Sequence, residues 1–247
     1  ISMLRDYDEK TVRESYRELY ELWLNGALFA PDDYEKYSDT MVKSPVKSMC
    51  LNVAHDCNLR CGYCFAQTGD FGGERCIMPP EIGRAAVDFL IKQSANRENL
   101  ETDFFGGEPL MNFDVVKKLV EYARSIEKEK NKNFRFTLTT NGVLVDDDVI
   151  DFANKEMNNV VLSLDGRKEV HDRYRVDYQG RGSYDTIVPK FQKFVKARGG
   201  KNYYMRGTFT HANPDFLEDI KTMLNLGFTE LSMEPVVAAE GDEAALT

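Results

Sequence analysis

The sequence contains no apolar run near the ~18–20 residues that a membrane-spanning helix requires. Its beginning also lacks the basic-then-apolar pattern of a secretion signal. Acidic residues outnumber basic ones by 41 to 32, so the net charge is −9 and the positive excess that attracts nucleic acids is missing. We therefore predict a cytoplasmic protein that binds neither a membrane nor a nucleic acid.

The chain also lacks an initiating methionine, because it opens at Ile1, and we expect it to be part of a longer polypeptide. No internal repeat or low-complexity tract is visible in it. Its 247 residues, 42% hydrophobic and 30% charged, are enough for one α/β barrel or two small domains with a buried core.

Cysteine is rare, yet three of the five cysteines stand within eight positions, at Cys57, Cys61 and Cys64. Small secreted proteins held by disulfides are denser in cysteine and usually have an even number of them. The pattern fits a metal site in a cytoplasmic protein better than it fits a disulfide framework.

Residues 8–25 show the apolar spacing of an amphipathic helix, and we expect its apolar stripe to pack against protein. Residues 31–47 contain two prolines and mixed charge, which predicts a linker. We therefore predict a helical extension with a linker over residues 1–45 and an α/β domain over residues 46–247.

From residue 46 onward, β-rich runs alternate with helical patterns. Six strands separated by helices predict parallel βα units with right-handed crossovers, and the long first gap predicts an elaborated first loop. The predicted strands are 48–54, 102–106, 134–139, 159–164, 203–210 and 230–236, and the predicted helices are 80–95, 112–130, 146–156, 184–198 and 214–226.

The cysteine segment 57–64 has the spacing C-x3-C-x2-C, which places three thiolates in one short loop where they can bind a soft metal centre. One alternative is a structural zinc site, which needs four closed ligands, and only Cys76 or His55 could supply the fourth. A second is a set of unpaired buried thiols. A third is an iron–sulfur cluster held by three cysteines, whose remaining iron is open to a substrate or cofactor.

Unusual residues follow the ends of the predicted strands, which meet at one edge of a parallel sheet. Gly106 and Gly107 permit backbone carbonyls to approach a ligand closely, and Glu108 can pair with an ammonium group. Ser163 and Asp165 are two positions apart and therefore point the same way, where both can bind ribose hydroxyls. An ordinary strand-to-helix turn and a helix cap are the alternatives for these two segments.

The C-x3-C-x-aromatic-C of residues 57–64, on a loop after the first strand, resembles the signature of the radical S-adenosylmethionine (SAM) superfamily. This resemblance implies an α/β fold of the partial (β/α)6 TIM-like barrel type. It implies that Cys57, Cys61 and Cys64 bind three irons of a 4Fe-4S cluster, whose fourth iron is chelated by SAM. It also implies that an electron from a reducing donor cleaves SAM to a 5′-deoxyadenosyl radical, which abstracts hydrogen from the substrate.

The same resemblance implies how SAM is held. Glu108 would hold the amino group, the backbone carbonyl of Tyr63 would contact the adenine, and Ser163 with Asp165 would contact the ribose. Arg175 is the candidate for the SAM carboxylate. The residues expected to contact SAM are Tyr63, Gly106, Gly107, Glu108, Asn141, Ser163, Asp165 and Arg175.

Several of these assignments have open alternatives. Arg206 competes with Arg175 for the SAM carboxylate, and a surface salt bridge is the alternative for either. Asn141 can be a turn residue only, because Asn-Gly favours positive φ. Outside the motif, we expect Cys50 in the core and Cys76 in a loop.

Five segments resemble one subgroup, the maturases that form thioether cross-links in SCIFF peptides, which are small, ribosomally made and rich in cysteine. This implies hydrogen abstraction from a carbon of a cysteine-rich precursor peptide and bonding of that carbon to a cysteine sulfur. These enzymes usually also carry a C-terminal SPASM domain with auxiliary clusters and an N-terminal peptide-recognition domain, and we expect neither in this chain. The segments are 54–60, 64–66, 103–109, 206–211 and 231–236.

Two alternatives remain for the function. An anaerobic sulfatase maturase, which oxidises a cysteine or serine side chain to formylglycine, shares the resemblance. A zinc- or cluster-binding module without catalytic activity belongs to a different class. Under the thioether interpretation, we expect this chain to cleave SAM but not to complete the cross-link, because we expect the auxiliary clusters outside it.

Overall fold

The structure is a computed structural model that describes residues 4, 7–31, 34–38, 44–238, 241 and 244–246. The chain divides into two compact units, Ile1–Ser44 and Pro45–Thr247. The predicted linker over residues 31–47 lies partly outside the described residues. None of the helices in the described ranges is both long and apolar enough to cross a membrane.

The first unit contains the predicted amphipathic helix as α1 (Glu9–Leu24). It begins where the Asp8 carboxylate accepts a hydrogen bond from the backbone N–H of Thr11 (3.0 Å). No residue of α1 is buried, so the expectation of a packed stripe is wrong. Its aromatic side chains pack on one another along the helix surface instead, with 5.6 Å between the ring centroids of Tyr20 and Trp23.

The second unit alternates strands with helices, and every predicted element is present, with boundaries that differ by three residues at most. The strands are β1 (Ser48–His55), β2 (Cys76–Ile77), β3 (Asn99–Gly106), β4 (Asn133–Thr140), β5 (Met157–Ser163), β6 (Tyr204–Phe209) and β7 (Leu231–Pro235). The helices are α2 (Pro80–Gln93), α3 (Phe113–Lys130), α4 (Asp147–Glu156), α5 (Lys168–Tyr174), α6 (Tyr184–Arg198) and α7 (Leu217–Asn225).

One seven-stranded sheet joins all strands in the order β2-β1-β3-β4-β5-β6-β7. The six predicted strands are parallel to one another, which confirms the predicted βα units. Each helical crossover adds the next strand on the same side, as in a barrel, but the edge strands β2 and β7 do not pair and the barrel stays open. The predicted partial barrel is therefore present.

Two elements of this unit were not predicted. Strand β2 is only two residues long and pairs antiparallel with the end of β1, where Cys76 faces His55 in the register. Helix α5 has seven residues and leads into a tight hairpin closed by a bridge between Val176 and Gly182. Both elements are too short to show a hydrophobic period in the sequence.

The two faces of the sheet differ because side chains alternate along each strand. One face packs against the helices, and its core includes the buried side chains Leu100, Phe104 and Phe136. Polar residues alternate with these on the same strands, and Glu101 and Asp103 of β3 line a polar cavity of about 490 Å3. The fold thus leaves one polar face of the sheet available to a ligand.

Candidate active site at the carboxyl ends of the strands

The predicted site residues follow four neighbouring strands and meet at one edge of the sheet. The cysteine loop (residues 56–66) follows β1, and its first residue, Asp56, accepts a hydrogen bond from the backbone N–H of Glu108 after β3 (3.0 Å). Glu108 in turn accepts one from the backbone N–H of Asn141 after β4 (2.7 Å). Tyr63 of the loop donates its hydroxyl to Asp165 after β5 (2.5 Å). The parallel order of the strands therefore brings these residues together.

The three motif thiols lie partly inside the protein: Cys57 is buried, and Cys61 and Cys64 are half-buried. Burial raises the pKa of the Cys57 thiol to about 12 and that of Cys61 to about 11. Thiols with such pKa values are protonated at neutral pH, so metal binding here releases protons. Within the described ranges, no three His, Cys, Asp or Glu side chains are grouped to bind a single metal ion.

The surroundings of Cys57 fit a cluster ligand. Its sulfur accepts a hydrogen bond from the backbone N–H of Leu59 (3.4 Å) and another from the side-chain amide of Asn141 (3.5 Å). The side-chain oxygen of the neighbouring Asn58 lies 3.8 Å from the same sulfur, and its buried nitrogen has no acceptor among the described residues. N–H donors directed at cysteine sulfurs are typical of iron–sulfur sites.

A hairpin over residues 174–183, which we call the clamp hairpin, holds the backbone of the cysteine loop. The N–H of Arg60 donates to the carbonyl of Val176 (2.7 Å), and the N–H of Gly62 donates to the carbonyl of Tyr174 (3.1 Å). These two bonds flank the second motif cysteine, Cys61, and pair the hairpin with the backbone on both sides of it.

Side chains reinforce the clamp hairpin. The carbonyl of Cys57 accepts hydrogen bonds from the Tyr178 hydroxyl (3.1 Å) and from the guanidinium of Arg60 (2.5 Å). The same guanidinium lies 3.6 Å above the centre of the Tyr178 ring, which is a close cation–π contact. Sequence reasoning did not identify this group, because it joins residues that lie 121 positions apart.

The backbone packed against Gly106 and Gly107 leaves no room for a side chain at either position. Gly106 has φ +130, and a side-chain carbon on it would lie 2.4 Å from the carbonyl oxygen of Ala54. A side-chain carbon on Gly107 would lie 2.1 Å from the carbonyl oxygen of Asp56. The two glycines therefore let β3 approach the start of the cysteine loop, a reason that the sequence alone did not reveal.

Glu108 is fully buried and its carboxylate accepts three hydrogen bonds. The donors are the backbone N–H groups of Leu110 (3.0 Å) and Asn141 (2.7 Å) and the hydroxyl of Thr140 (2.9 Å). Burial raises the pKa of Glu108 to about 7, although these donors act in the opposite direction. Only one of the three bonds goes to Oε2, so this oxygen keeps an acceptor position for another donor.

Asp165 is the centre of a buried ion pair. Its carboxylate accepts two hydrogen bonds from Arg175 (2.9 and 3.0 Å), one from Tyr63 and one from the backbone N–H of Thr208 (3.0 Å). Burial raises the pKa of Asp165, but the charge and hydrogen bonds of Arg175 outweigh it, and the pKa lies below its usual value. Burial also raises the pKa of Tyr63 well above its usual value.

These contacts bear on the predicted SAM residues. Four donors already occupy the acceptor positions of the Asp165 carboxylate, which argues against a ribose contact by this side chain. Ser163, the other predicted ribose contact, lies at the same edge and is half-buried. Arg175 is paired with Asp165, whereas Arg206 is half-exposed and paired with Glu234 of β7. The assignments of all these residues to SAM stay predictions.

The two cysteines outside the motif lie elsewhere than expected. Cys50 is exposed and is paired in the register with Asp103, so its assignment to the core is wrong. It occupies a polar-face position of β1, which the apolar run of residues 48–54 did not distinguish from a core position. Cys76 is exposed in β2 and not in a loop.

Comparisons with known proteins show the family to which this chain is related. The model of the radical SAM superfamily matches residues 51–226. A cysteine-type anaerobic sulfatase-maturating enzyme of Clostridium novyi (strain NT) is 32% identical over 148 residues, which are 57% of this chain and 38% of that protein. The radical SAM cyclopropyl synthase TigE of Paramaledivibacter caminithermalis is 27% identical over 190 residues, which are 70% of this chain and 38% of that protein. The chain spans about two fifths of the length of these relatives.

Among solved structures, native anSMEcpe with bound AdoMet and Cp18Cys peptide has a similar fold, with a TM-score of 0.71 and 23% identity. The similarity covers 82% of this chain and 55% of that one. The likeness supports the partial barrel, and the family match covers well over half of the sequence. The chain therefore belongs to the radical SAM superfamily of enzymes, whose cofactors are a 4Fe-4S cluster and SAM.

Proposed function

We propose that this chain is the cluster- and SAM-binding barrel of an enzyme that forms cysteine thioether cross-links in a ribosomally made, cysteine-rich precursor peptide. Support comes from the five segments that resemble SCIFF maturases and from the sulfatase-maturating relative. The chain spans 38% of that relative, so the activity of the whole protein is part of the proposal.

In this proposal, Cys57, Cys61 and Cys64 hold three irons of the cluster, and the thiol protons leave on binding. The cluster and SAM, once bound and supplied with one electron, would provide a 5′-deoxyadenosyl radical for hydrogen abstraction. Glu108 would orient SAM through its ammonium group, using the acceptor position that Oε2 keeps. An ammonium neighbour also favours the ionised form of this carboxyl.

The opposite side of the site would hold the rest of SAM. Ser163 would contact the ribose, and the backbone carbonyl of Tyr63 the adenine. Arg175 would contact the SAM carboxylate while Asp165 holds its guanidinium in place, because the buried pair is bidentate. The hydrogen bond from Tyr63 to Asp165 ties this side to the cysteine loop.

An exposed polar pair on the strands beside the site is the observation that carries the choice of a peptide. Arg206 is paired in the register with Ser163, and its side chain pairs with Glu234 across β6 and β7. Both side chains are nearly half exposed. A peptide presents N–H and C=O groups along its length and therefore suits a polar surface that an apolar substrate would leave unsatisfied.

Oxidation of a cysteine to formylglycine is the second candidate, and the 32% identity to a cysteine-type sulfatase-maturating enzyme favours it. The two reactions differ in their products. A thioether keeps the cysteine sulfur and removes one hydrogen from carbon and one from the thiol, whereas formylglycine no longer contains sulfur.

The test is anaerobic incubation of the complete gene product, loaded with its cluster, with a reductant, SAM and the cysteine-rich peptide encoded beside its gene. Mass spectrometry should show a peptide lighter by two hydrogens, with one thiol fewer available to alkylation. The Cys57→Ala variant is the control and should leave the peptide unchanged.

A sulfatase-derived cysteine peptide is offered in parallel. Conversion of this peptide with loss of sulfur, and no change in the cysteine-rich peptide, would favour the second candidate. Formation of 5′-deoxyadenosine without change in either peptide would contradict both peptide reactions.

A further inference from the structure

We propose that the side-chain amide of Asn141 donates a hydrogen bond to the Cys57 thiolate and thereby raises the reduction potential of the cluster. Resemblance placed Asn141 among the contacts of SAM, but its amide nitrogen lies 3.5 Å from the Cys57 sulfur. The proposal rests on the cluster-binding part of the proposed function and is independent of the choice of substrate.

The surrounding bonds give the Asn141 amide a single orientation. Its oxygen accepts a hydrogen bond from the backbone N–H of Val143 (3.0 Å), within the turn after β4. Its nitrogen is therefore directed at Cys57 and at the side-chain oxygen of Asn58 (2.8 Å). The residue is 8% exposed, and its backbone N–H donates to Glu108. The amide N–H groups thus point from the end of β4 into the cysteine loop.

The neighbouring Asn58 helps to hold the Asn141 amide in this position. Its side-chain oxygen accepts the hydrogen bond from Asn141 and also lies 3.8 Å from the Cys57 sulfur, which can donate to it while the thiol is protonated. When cluster binding removes the thiol proton, the sulfur could no longer donate to Asn58 and would act only as an acceptor, which suits the N–H of Asn141.

Hydrogen bonds to cluster sulfurs change the potential because they withdraw negative charge. The reduced cluster carries one more electron than the oxidised cluster and is stabilised more by an N–H donor. Removal of the Asn141 donor should therefore make the cluster harder to reduce, even when SAM is absent.

Asn141→Ser is the variant of choice, because a serine hydroxyl can accept the N–H two residues on and preserve the turn, but cannot reach Cys57. The matched control is Asn133→Ser at the other end of β4. Asn133 donates its side-chain amide to Asn99 over the same 2.8 Å, far along the strand from the cysteine loop.

The measurement is the midpoint potential of the cluster in SAM-free protein, followed by electron paramagnetic resonance. In Asn141→Ser we expect the ratio of reduced to oxidised cluster at a given potential to fall about three- to tenfold, or about 28–59 mV for a one-electron couple. The control should keep the wild-type potential.

An unchanged midpoint potential in Asn141→Ser would overturn the proposal. If SAM binding were weaker while the potential stayed the same, Asn141 would be assigned to SAM binding instead. Loss of iron with a normal unfolding midpoint would show that Asn141 is needed to hold the cluster, and would overturn the proposal that it sets the potential of a cluster held without it. Loss of iron with a lowered midpoint would assign Asn141 to folding and overturn it. If the wild-type protein binds no cluster, the proposed function fails first, and this proposal falls with it.

Discussion

At the scale of single residues, Glu108 places a carboxyl group where water does not reach it. Burial raises its pKa to about 7, from 4.5 in the unfolded chain. An acid with a higher pKa in the folded state binds protons on folding, so its stabilising contribution is complete below pH ~4.5 and is lost as pH rises through 7. We expect this residue to lower the unfolding free energy of the cluster-free protein by about 3 kcal/mol over that window.

Denaturant unfolding at pH 5 and pH 8 measures this dependence. The Glu108→Gln variant cannot ionise and should show a smaller fall in unfolding free energy between the two values. Equal falls in the wild-type protein and the variant would contradict the link between Glu108 and the pH dependence.

The same residue predicts the pH dependence of SAM binding. The ammonium group of SAM pairs with the ionised carboxyl, so we expect the affinity of the cluster-loaded protein to increase as pH rises through 7. Glu108→Gln should bind SAM about ten- to a hundredfold more weakly, because a hydrogen bond to a charged group contributes about 1.5–3 kcal/mol. Glu156→Gln, which alters a carboxyl group on α4 paired with Arg124, is the control. Unchanged affinity in Glu108→Gln by anaerobic calorimetry would refute this role.

The cysteines divide into two classes by position. Cys57, Cys61 and Cys64 share the loop after β1, whereas Cys50 and Cys76 are exposed on β1 and β2. Alanine at any motif position should abolish the reconstituted cluster, as judged by iron content, and alanine at the other two should leave it intact. Equal iron loss in Cys50→Ala or Cys76→Ala would show that the assignment is wrong.

At the scale of elements, the clamp hairpin gives the cysteine loop its shape. Tyr178→Phe keeps the ring over Arg60 but removes the hydrogen bond to the carbonyl of Cys57. A neutral hydrogen bond contributes about 0.5–1.5 kcal/mol, so we expect loop amides to exchange hydrogen about two- to tenfold faster. Tyr122→Phe is the control, because it removes a hydroxyl bond to Asp88 between α3 and α2. Faster exchange across the whole protein, and not in the loop alone, would contradict this prediction.

The elements that could be predicted are those with a period. Strands β3 and β4 alternate buried and exposed residues, and α3 repeats apolar residues at helical spacing, so their limits follow from the sequence within about three residues. Strand β2 and α5 are too short to show a period. Helix α1 does show a helical period of apolar residues, but such a period cannot reveal whether another surface covers the apolar stripe. None of the residues of α1 is buried.

At the scale of the whole molecule, most of the predicted site residues come together because their segments directly follow strands, and parallel strands place those segments at one edge. Arg175 lies beyond α5 instead and reaches Asp165 through its side chain. The partners of each side chain could not be predicted in this way. Tyr63 and Asp165 are 102 positions apart, and Asn141 and Cys57 are 84 apart. Only the folded chain shows that Asp165 is paired with Arg175 and that the Asn141 amide is directed at Cys57.

The formation of 5′-deoxyadenosine is the decisive measurement of radical SAM chemistry in this protein. The protein is loaded with iron and sulfide under anaerobic conditions, reduced, and given SAM, and the product is quantified by chromatography with mass spectrometry. We predict 5′-deoxyadenosine from the wild-type protein and none from Cys61→Ala. A wild-type protein that holds four irons and binds SAM but forms no 5′-deoxyadenosine, or a variant that forms as much as the wild type, would contradict this prediction.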